Sequence, residues 1–144
     1  MLQQEEFHFE KSKGIKIRLT EEQRKQISRP EFIEASLEKE NIFAYDVYKN
    51  TKLIGFLRLR KYSDTGYFLW DYAIDDRVQN LGYGTRVLKY LFLFLKTQFH
   101  ATELSTTYLW GNAPARHVYE KTGFVETDVV LENDAHEVDM IKIL

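Results

Sequence analysis

The stretch from Tyr67 to Leu109 constrains the fold more than any other part of this sequence. It opens with an aromatic-rich run, Tyr67 to Ile74, in which Asp71 is the only charge, and such a run is typical of a central strand. Thr85 to Phe99 has the length and apolar spacing of a helix, and Glu103 to Leu109 predicts another strand. A strand, a helix and a strand in this order form a right-handed unit with parallel strands. The expected core face of the helix is Val87, Leu88, Leu91 and Leu95.

Alternating apolar and charged residues predict further strands in both halves of the chain. Near the start, Phe7 with Phe9 and the segment Ile15–Leu19 alternate in this way, which predicts a hairpin. Polar turn residues separate two pairs of longer strands, and each pair is expected to be antiparallel. The predicted pairs are Ile42–Tyr48 with Lys52–Arg60, around Lys49-Asn50-Thr51, and Phe124–Val130 with Val138–Ile143, around Glu132-Asn133-Asp134.

Capping residues predict three more helices. Thr20 provides a hydroxyl N-cap with Gln23 at the third helical position. Pro30 suits the first turn of the next helix, and Gly123 is a C-terminal stop signal. The predicted ranges are 21–28, Pro30–Glu40 and Ala113–Thr122. The resulting order, β α α β β β α β α β β, predicts an α/β fold in a single domain, residues 1–144, with a mixed sheet flanked by helices.

The composition excludes several classes of site and partner. The formal net charge is −2, which gives no electrostatic basis for binding nucleic acid. The absence of cysteine excludes disulfides, thiolate nucleophiles and cysteine-bound zinc, and the four histidines lack metal-ligand spacing, so no metal is expected. Met1 to Glu6 do not resemble a secretory signal, and the longest apolar run, Tyr90 to Leu95, is too short to span a bilayer. We therefore expect a cytoplasmic protein with no membrane partner.

A loop with two glycines connects the central strand to the helix that follows. Residues 79–84 read Gln-Asn-Leu-Gly-Tyr-Gly, and the helix behind them would offer unpaired N–H groups to an anion. Glycine at 82 and 84 lets the backbone approach a pyrophosphate without a Cβ clash. A dinucleotide fingerprint is excluded because Val87 stands where it needs Gly or Ala, and the chain lacks the Gly-Lys-Ser/Thr of a P-loop. On its own, the glycine pair also fits an ordinary loop.

Two motifs together resemble the GNAT superfamily of N-acetyltransferases. Gln79, Gly82 and Gly84 match its acyl-CoA loop, Gln/Arg-x-x-Gly-x-Gly/Ala after a strand. The segment Gly111–Phe124 matches its later motif, Asn-x-x-Ala followed by Tyr-Glu-Lys-x-Gly-Phe. The resemblance covers Ile42 to Ile143, and the earlier residues match only in their strand-helix-helix layout.

The resemblance implies acetyl-CoA as cosubstrate and a small-molecule amine as acceptor. Asn80 departs from the family pattern, since many relatives have Gly there. Asn tolerates left-handed backbone better than other residues with a side chain, so the loop is still expected to form. The residues that the resemblance implies in cofactor binding are Ala73, Ile74, Gln79, Asn80, Leu81, Gly82, Tyr83, Gly84, Thr85, Asn112 and Tyr119.

Tyr119 is the predicted general acid. Acetyl transfer to an amine needs a neutral amine, a donor to the oxyanion and a proton for the departing thiolate. The resemblance places a tyrosine near the thioester sulfur, seven residues after the Asn, and Asn112 to Tyr119 has that spacing. The alternative is that Tyr119 is one more aromatic side chain packed on the core. Asn112 fits either a contact with the cofactor or the N-cap of the helix, and both roles are compatible.

Asp71 is the second predicted catalytic residue. A carboxylate within such a strand is costly to bury unless it is paired or functional. It is expected either to deprotonate the amine or to hold a cationic substrate. The alternative is an outward-facing Asp71 in a salt bridge with Arg58 or Arg60. The resemblance places the oxyanion donor, a backbone N–H, near Ala73. Because no cysteine is present to hold an acetyl group, direct transfer in a ternary complex is favoured.

The identity of the acceptor amine has weaker support in the sequence. The segments that build acceptor sites in this family carry acidic residues here, which suits a polycation, and Tyr67–Asp75 resembles bacterial diamine and polyamine acetyltransferases. Two alternatives are an acetyltransferase that acts on protein amino groups and a non-catalytic acyl-CoA-binding regulatory module. A homodimer is compatible with each reading. The acidic residues are Glu31, Glu34, Asp71, Glu132 and Asp134.

Overall fold

The helices and strands follow one another in the order that the sequence predicts. A computed structural model describes residues 6–132 and 135–144, with the side chains of 6–128 and 137–144. The strands are β1 (Phe7–Lys11), β2 (Ile42–Lys49), β3 (Lys52–Lys61), β4 (Gly66–Ile74), β5 (Glu103–Leu109), β6 (Val125–Glu132) and β7 (Ala135–Ile143). The helices are α1 (Glu21–Gln26), α2 (Pro30–Ser36), α3 (Tyr83–Gln98) and α4 (Ala113–Lys121).

The strands form one seven-stranded mixed sheet in the order β1-β2-β3-β4-β5-β7-β6. The predicted parallel pair is confirmed, because β4 and β5 run parallel from Gly66 opposite Glu103 to Leu69 opposite Thr106. The late pair, β6 with β7, is antiparallel as predicted. Its predicted turn includes Asn133 and Asp134, which lie outside the described residues. The α/β class with a mixed sheet is therefore confirmed.

The chain divides into two compact units, and the first comprises the residues up to Leu59 together with Asp71–Tyr83. In this unit β1 pairs antiparallel with β2, from Phe7 opposite Lys49 to Lys11 opposite Tyr45. The prediction of a single domain over the whole chain stays a prediction. A buried cluster in the first unit consists of Ile17, Ile33, Ala44, Phe56 and Ala73.

Residues 12–19, which we call the strap, do not form the predicted second strand of an early hairpin. Ile17 is buried as the alternation predicts. The backbone of Arg18 bonds elsewhere than to a strand: Arg18 N donates to Asp75 Oδ2 over 3.0 Å, and Asp76 N donates to Arg18 O over 2.8 Å. The predicted pairing was therefore wrong, and β1 pairs with β2 instead.

Helix α1 begins with the predicted capping box. Thr20 Oγ1 accepts from Gln23 N over 3.1 Å, and Gln23 Oε1 accepts from Thr20 N over 2.8 Å. The predicted C-terminal ends of the two early helices were too late, because α1 ends at Gln26 and α2 at Ser36. The hydroxyl of Ser36 donates back to Ile33 O over 2.7 Å, and the chain turns there towards β2.

The second unit comprises Arg60–Trp70 and Gly84–Leu144. All four predicted core residues of α3 are buried, although the helix begins at Tyr83, before its predicted start. Gly123 has a φ of 105° directly after the C-cap of α4, so the predicted glycine stop is confirmed. Within the described residues, no helix has the length and apolarity that a membrane crossing requires.

Candidate active site

The predicted acyl-CoA loop follows β4 in the first unit. A short 3-10 turn, Asp76–Val78, leads from the strand into the loop. Asn80 has a φ of 63° and Gly82 a φ of 83°, so both lie in the left-handed region, while Leu81 between them is largely exposed. Asn adopts this region more readily than other residues with a side chain. This explains how Asn80 stands where relatives have glycine.

Two glutamine side chains anchor the loop to the end of β4. Gln79 Nε2 donates to Ile74 O over 3.1 Å, and Gln23 Nε2 donates to the same oxygen over 2.8 Å. Because Gln23 also closes the capping box of α1, its side-chain amide is held at both ends. The side chain of Gln79, predicted as a cofactor contact, thus bonds to the backbone and holds the start of the loop.

The first turn of α3 consists of Tyr83, Gly84, Thr85 and Arg86 and carries no carboxylate. The N–H groups of a first helical turn have no acceptor within the helix and lie at the positive end of its dipole. A Cβ built on Gly84 would point into open space, with no atom of the described residues within 4 Å beyond its chain neighbours and the backbone of its own helix. The ring of Tyr83 packs edge-on against Phe7, with the centroids 6.2 Å apart. The turn therefore has open space at Gly84 and no carboxylate that would repel an anionic group.

Asp71 lies in a buried ion pair with Arg58. Arg58 Nε donates to Asp71 Oδ2 over 2.8 Å, and both side chains are 1% exposed. Asp71 Oδ1 accepts from Ser28 N over 2.9 Å and from Ser28 Oγ over 3.1 Å. The guanidinium also donates to the hydroxyls of Ser28, at 2.9 Å, and Ser36, at 2.7 Å. The network joins β3 and β4 to the segment between α1 and α2 and to the end of α2.

The alternative prediction for Asp71, an outward-facing residue in a salt bridge with Arg58 or Arg60, is partly confirmed. The salt bridge with Arg58 is present, but Asp71 is buried and does not face outward. Burial of the carboxylate is energetically tolerable because each of its oxygens accepts a hydrogen bond from a protein donor. The guanidinium of Arg58 compensates its negative charge. Arg60, the other predicted partner, instead lies over the rings of Phe68 and Trp70, 5.5 and 5.9 Å from their centroids. Both oxygens of this carboxylate are thus bonded to protein donors, and its predicted catalytic role stays a prediction.

The backbone at the end of β4 faces two ways. Asp75 N donates to Ile54 O of β3 over 2.8 Å, and Ala73 O lies against Gly55, where a Cβ would be 3.0 Å away. Successive residues of a strand present their N–H and C=O groups to alternate sides. Ile74 therefore faces away from β3, which agrees with its carbonyl accepting the two glutamine amides. Ala73 and Ile74 are the residues of β4 that are predicted to bind the cofactor. Of these two, Ile74 has its backbone N–H directed away from β3.

Asn112 and Tyr119 belong to α4 in the second unit. Asn112 is the N-cap, and its Oδ1 accepts from Ala115 N over 3.2 Å, so the capping alternative is confirmed. Tyr119 is 8% exposed, and its ring meets Phe124 edge-on with the centroids 5.2 Å apart. Phe124 N also donates to Tyr119 O over 3.0 Å. The ring of Tyr119 therefore packs on the core, as the alternative prediction states. The predicted role of the Tyr119 hydroxyl as general acid is compatible with this packing and stays a prediction.

The acidic residues predicted around the acceptor have different surroundings. Glu31 and Glu34 are exposed on α2, where Glu31 pairs with Arg29 at 3.5 Å. A Cβ built on Gly14 would be 3.3 Å from Glu34 Oε1, so that carboxylate lies against the strap. Asp71 is committed to Arg58. The side chains of Glu132 and Asp134 lie outside the described residues.

Sequence reasoning missed the residue that fixes the turn before the loop. Asp75 is the N-cap of the 3-10 turn, and its carboxylate accepts from Arg77 N over 2.8 Å. A signal was present, because Asp75 is a charged residue between a buried strand and a phosphate-binding pattern. Within residues 6–132 and 135–144, no group of three His, Asp or Glu is placed to hold a metal ion.

The sequence matches a family model, and the fold is similar to those of solved acetyltransferases. The model of the Acetyltransferase (GNAT) family matches residues 5–124. Spermidine N-acetyltransferase from Vibrio cholerae, in complex with CoA and spermine, is 18% identical over 78% of this chain and 72% of that chain, with a TM-score of 0.68. A dodecameric structure of the Vibrio cholerae enzyme is 17% identical over 78% and 71%, with a TM-score of 0.67. No curated protein matches the sequence.

An aminoglycoside acetyltransferase in complex with coenzyme A is also similar, at 21% identity over 76% of this chain and 70% of that chain, with a TM-score of 0.65. Likeness at these identities establishes the fold. The family match goes further, because it spans both motifs, the loop at residues 79–84 and the segment from Asn112 to Phe124. This chain belongs to the acetyltransferase (GNAT) family and is an acetyl-CoA-dependent N-acetyltransferase.

Proposed function

We propose that the enzyme transfers the acetyl group directly to a primary amine of a small diamine or polyamine. The observation that supports acetyl-CoA binding is the loop in which Asn80 and Gly82 have left-handed backbone conformations. This loop leads into the first turn of α3, which has open space at Gly84. Spermine in the similar Vibrio cholerae structure supports the acceptor class. The full sequence has no cysteine to carry an acetyl group, which favours a ternary complex over a covalent intermediate.

The loop and the first turn of α3 are proposed to hold the pyrophosphate of the cosubstrate. Backbone N–H groups at residues 80–85 would donate to its oxygens, and the helix dipole favours the negative charge. The backbone of Leu81, between Asn80 and Gly82, is proposed to contact the cofactor, while its side chain is largely exposed. Asn112 is proposed to contact the cofactor as well as to cap α4, in keeping with both of its predicted roles.

Two groups of the protein are proposed to act on the reacting atoms. Acetyl-CoA supplies the acetyl group as a thioester. The amine nitrogen bonds to the thioester carbon, and Ile74 N–H donates to the carbonyl oxygen as its negative charge develops. The C–S bond then breaks, and the Tyr119 hydroxyl gives its proton to the departing sulfur. The nitrogen, which carries an extra proton after the attack, loses it to water as the amide forms, because Asp71 is bonded to Arg58 and Ser28. The Tyr119 phenolate then regains a proton from water, so the net products are the N-acetyl amide and free CoA thiol.

The glycine at position 82 provides the first test. Acetyl-CoA is expected to raise the melting temperature of the parent, by an amount that corresponds to about 2.7 kcal/mol at a hundredfold excess over Kd. Gly82→Val should abolish this shift, because a β-branched residue is strained at a φ of 83° and the loop would rearrange. Differential scanning fluorimetry with and without acetyl-CoA measures it.

Asn50→Val is the matched control for strain. Asn50 has a φ of 56° in the turn between β2 and β3, so valine there imposes a similar backbone strain outside the loop. This variant should melt at a lower temperature yet keep the full shift with acetyl-CoA. An undiminished shift in Gly82→Val would remove the loop from the proposed binding site.

A panel of amines tests the acceptor. Spermidine, spermine, putrescine, an aminoglycoside and a lysine peptide are compared at fixed acetyl-CoA, and a diamine or polyamine is expected to give the highest kcat/KM. An amine with a pKa near 10.4 is neutral in roughly one molecule in 2,500 at pH 7, so the rate should rise with pH towards that pKa. A lysine peptide as the best substrate would favour the protein acetyltransferase, and an aminoglycoside would favour the class of the other similar structure.

Self-association and a cytoplasmic location complete the proposal. The dodecameric spermidine N-acetyltransferase among the similar structures supports assembly of this chain, for which we propose a homodimer as the basic unit. The cytoplasmic location is supported by the cosubstrate, since acetyl-CoA is a metabolite of the cell interior. Light scattering of the purified protein gives the assembly directly.

A further inference from the structure

Asp75 is a buried carboxylate outside the proposed chemistry. It is 2% exposed. Its Oδ2 accepts from Arg18 N over 3.0 Å and from Arg77 Nη2 over 2.7 Å, and its Oδ1 accepts from Arg77 N over 2.8 Å and Arg77 Nε over 2.9 Å. The hydrogen bond from the Arg77 guanidinium holds the pKa of this carboxyl well below its ordinary value, so it is charged at neutral pH.

The strap bonds to Asp76, the residue after Asp75, as well as to Asp75 itself. Arg18 Nε and Nη2 donate to Asp76 Oδ2 over 3.0 and 2.9 Å, and Asp76 N donates to Arg18 O. Arg18 N also donates to Asp75. Arg18 thus bonds to two successive residues, Asp75 and Asp76, through both its backbone and its side chain. Ile17, the neighbour of Arg18, is buried in the core cluster, so the strap itself is fixed.

The turn so held is the entrance to the acyl-CoA loop. Asp75 N bonds to Ile54 O of β3, and Gln79 bonds back to Ile74 O, so the segment between them is tied at both ends. Residues 80–82 follow without a break. A loop that is held in its binding conformation loses less conformational entropy when a ligand binds, and its affinity is correspondingly higher.

We infer that Asp75 is a positioning residue for acetyl-CoA binding, which couples the strap through Arg18 to the loop at residues 79–82. The inference rests on the proposed function of that loop. Asp75 acts through the backbone of Arg77 and does not itself contact the cosubstrate. Its loss should therefore weaken acetyl-CoA binding and leave the amine and the chemical step largely unchanged.

Asp75→Asn is the test, because it keeps the size and one acceptor oxygen but removes the charge. The KM and Kd for acetyl-CoA should rise about tenfold, the loss expected when charge-assisted hydrogen bonds no longer hold the turn. The KM for the amine and kcat at saturating acetyl-CoA should stay within about twofold of the parent. Steady-state kinetics and calorimetric titration with acetyl-CoA measure these quantities.

Asp46→Asn is the matched control. Asp46 is likewise 2% exposed, and it pairs with Lys16, an exposed cation of the same strap, at 3.3 Å. It lies on β2, however, and its partner does not bond to the turn. Its loss should lower the melting temperature while the acetyl-CoA KM stays at the parent value. Equal rises of that KM in both variants, or none in Asp75→Asn, would overturn the inference.

A second variant keeps the test decisive if Asp75→Asn fails to fold. Arg77→Met removes only the exposed guanidinium and leaves the backbone bond from Arg77 N to Asp75, so it should fold and raise the acetyl-CoA Kd by a smaller factor. An unchanged Kd in Arg77→Met contradicts the inference when Asp75→Asn gives no protein. Failure of the parent itself to bind acetyl-CoA would instead contradict the proposed function of the loop.

Discussion

Tyr119→Phe is expected to lower kcat by about 100-fold or more, the usual range for loss of a general acid, with little change in the Kd for acetyl-CoA. The reason is that only the hydroxyl is removed. The ring keeps its contact with Phe124, and the backbone bond between the two residues is unaffected. Turnover under saturating substrates and a separate titration with acetyl-CoA distinguish the chemical step from binding.

The leaving group gives a sharper form of this test. An acetyl thioester whose thiol has a lower pKa needs less help from a proton donor. The ratio of parent to Tyr119→Phe rates should therefore shrink with such a donor. A ratio that is the same for both donors would show that the hydroxyl acts in some other way.

Tyr108→Phe is the control for the loss of a tyrosine hydroxyl in the same unit. Tyr108 is buried, and its hydroxyl donates to Glu126 Oε1 over 2.9 Å. Burial is the first cause that raises the pKa of Tyr108, followed by the hydrogen bond to Glu126. This variant should be less stable but turn over at nearly the parent rate. Equal turnover of Tyr119→Phe and the parent would make Tyr119 purely structural.

Arg58→Met is expected to lower the free energy of unfolding by about 3–5 kcal/mol, since it leaves the Asp71 carboxylate buried without its cation. The double variant Arg58→Met/Asp71→Leu should recover most of this loss, because a buried ion pair replaced by apolar residues of similar volume is often neutral or better. Urea denaturation of the parent, both single variants and the double variant gives the coupling between the two side chains.

An exposed pair provides the control for charge removal alone. Lys25 and Glu22 are paired at 3.3 Å with side chains 68% and 78% exposed, so Lys25→Met should cost less than about 1 kcal/mol. The same variants test the role of Asp71. If the double variant is stable and acetylates its best amine at the parent rate, Asp71 is structural. A stable double variant with kcat lowered about 100-fold or more would return Asp71 to the catalytic residues.

Local signals in the sequence predicted most of the elements. Thr20 with Gln23 fixed the start of α1, because a capping box needs only four neighbouring residues. Gly123 fixed the end of α4 for the same reason. The four apolar residues of α3 predicted its buried face, since helical spacing alone determines which residues share a side. Each of these signals is complete within a few residues of the chain.

The features that depend on distant residues could not be predicted in this way. Alternation in Ile15–Leu19 correctly indicated that Ile17 is buried, with Ile15 and Leu19 partly buried beside it. It could not show that the backbone of Arg18 bonds to Asp75, 57 residues away. Asp71 was recognised as unusual, yet the choice between a base and an ion pair depended on Arg58 and Ser28, which lie 13 and 43 residues from it. Periodicity carries no information about such partners.

Gly55 sets a limit on how the enzyme can be varied. A side chain at this position of β3 would bring Cβ to 3.0 Å from Ala73 O and 3.2 Å from Ile74 Cδ1, so the end of β4 would have to move by a few tenths of an ångström. That displacement would carry Ile74 N–H, the proposed oxyanion donor, with it. A library that randomises β3 to change stability should therefore keep glycine at position 55. The end of β4 can keep its present position only while no side chain at residue 55 packs against Ala73 and Ile74.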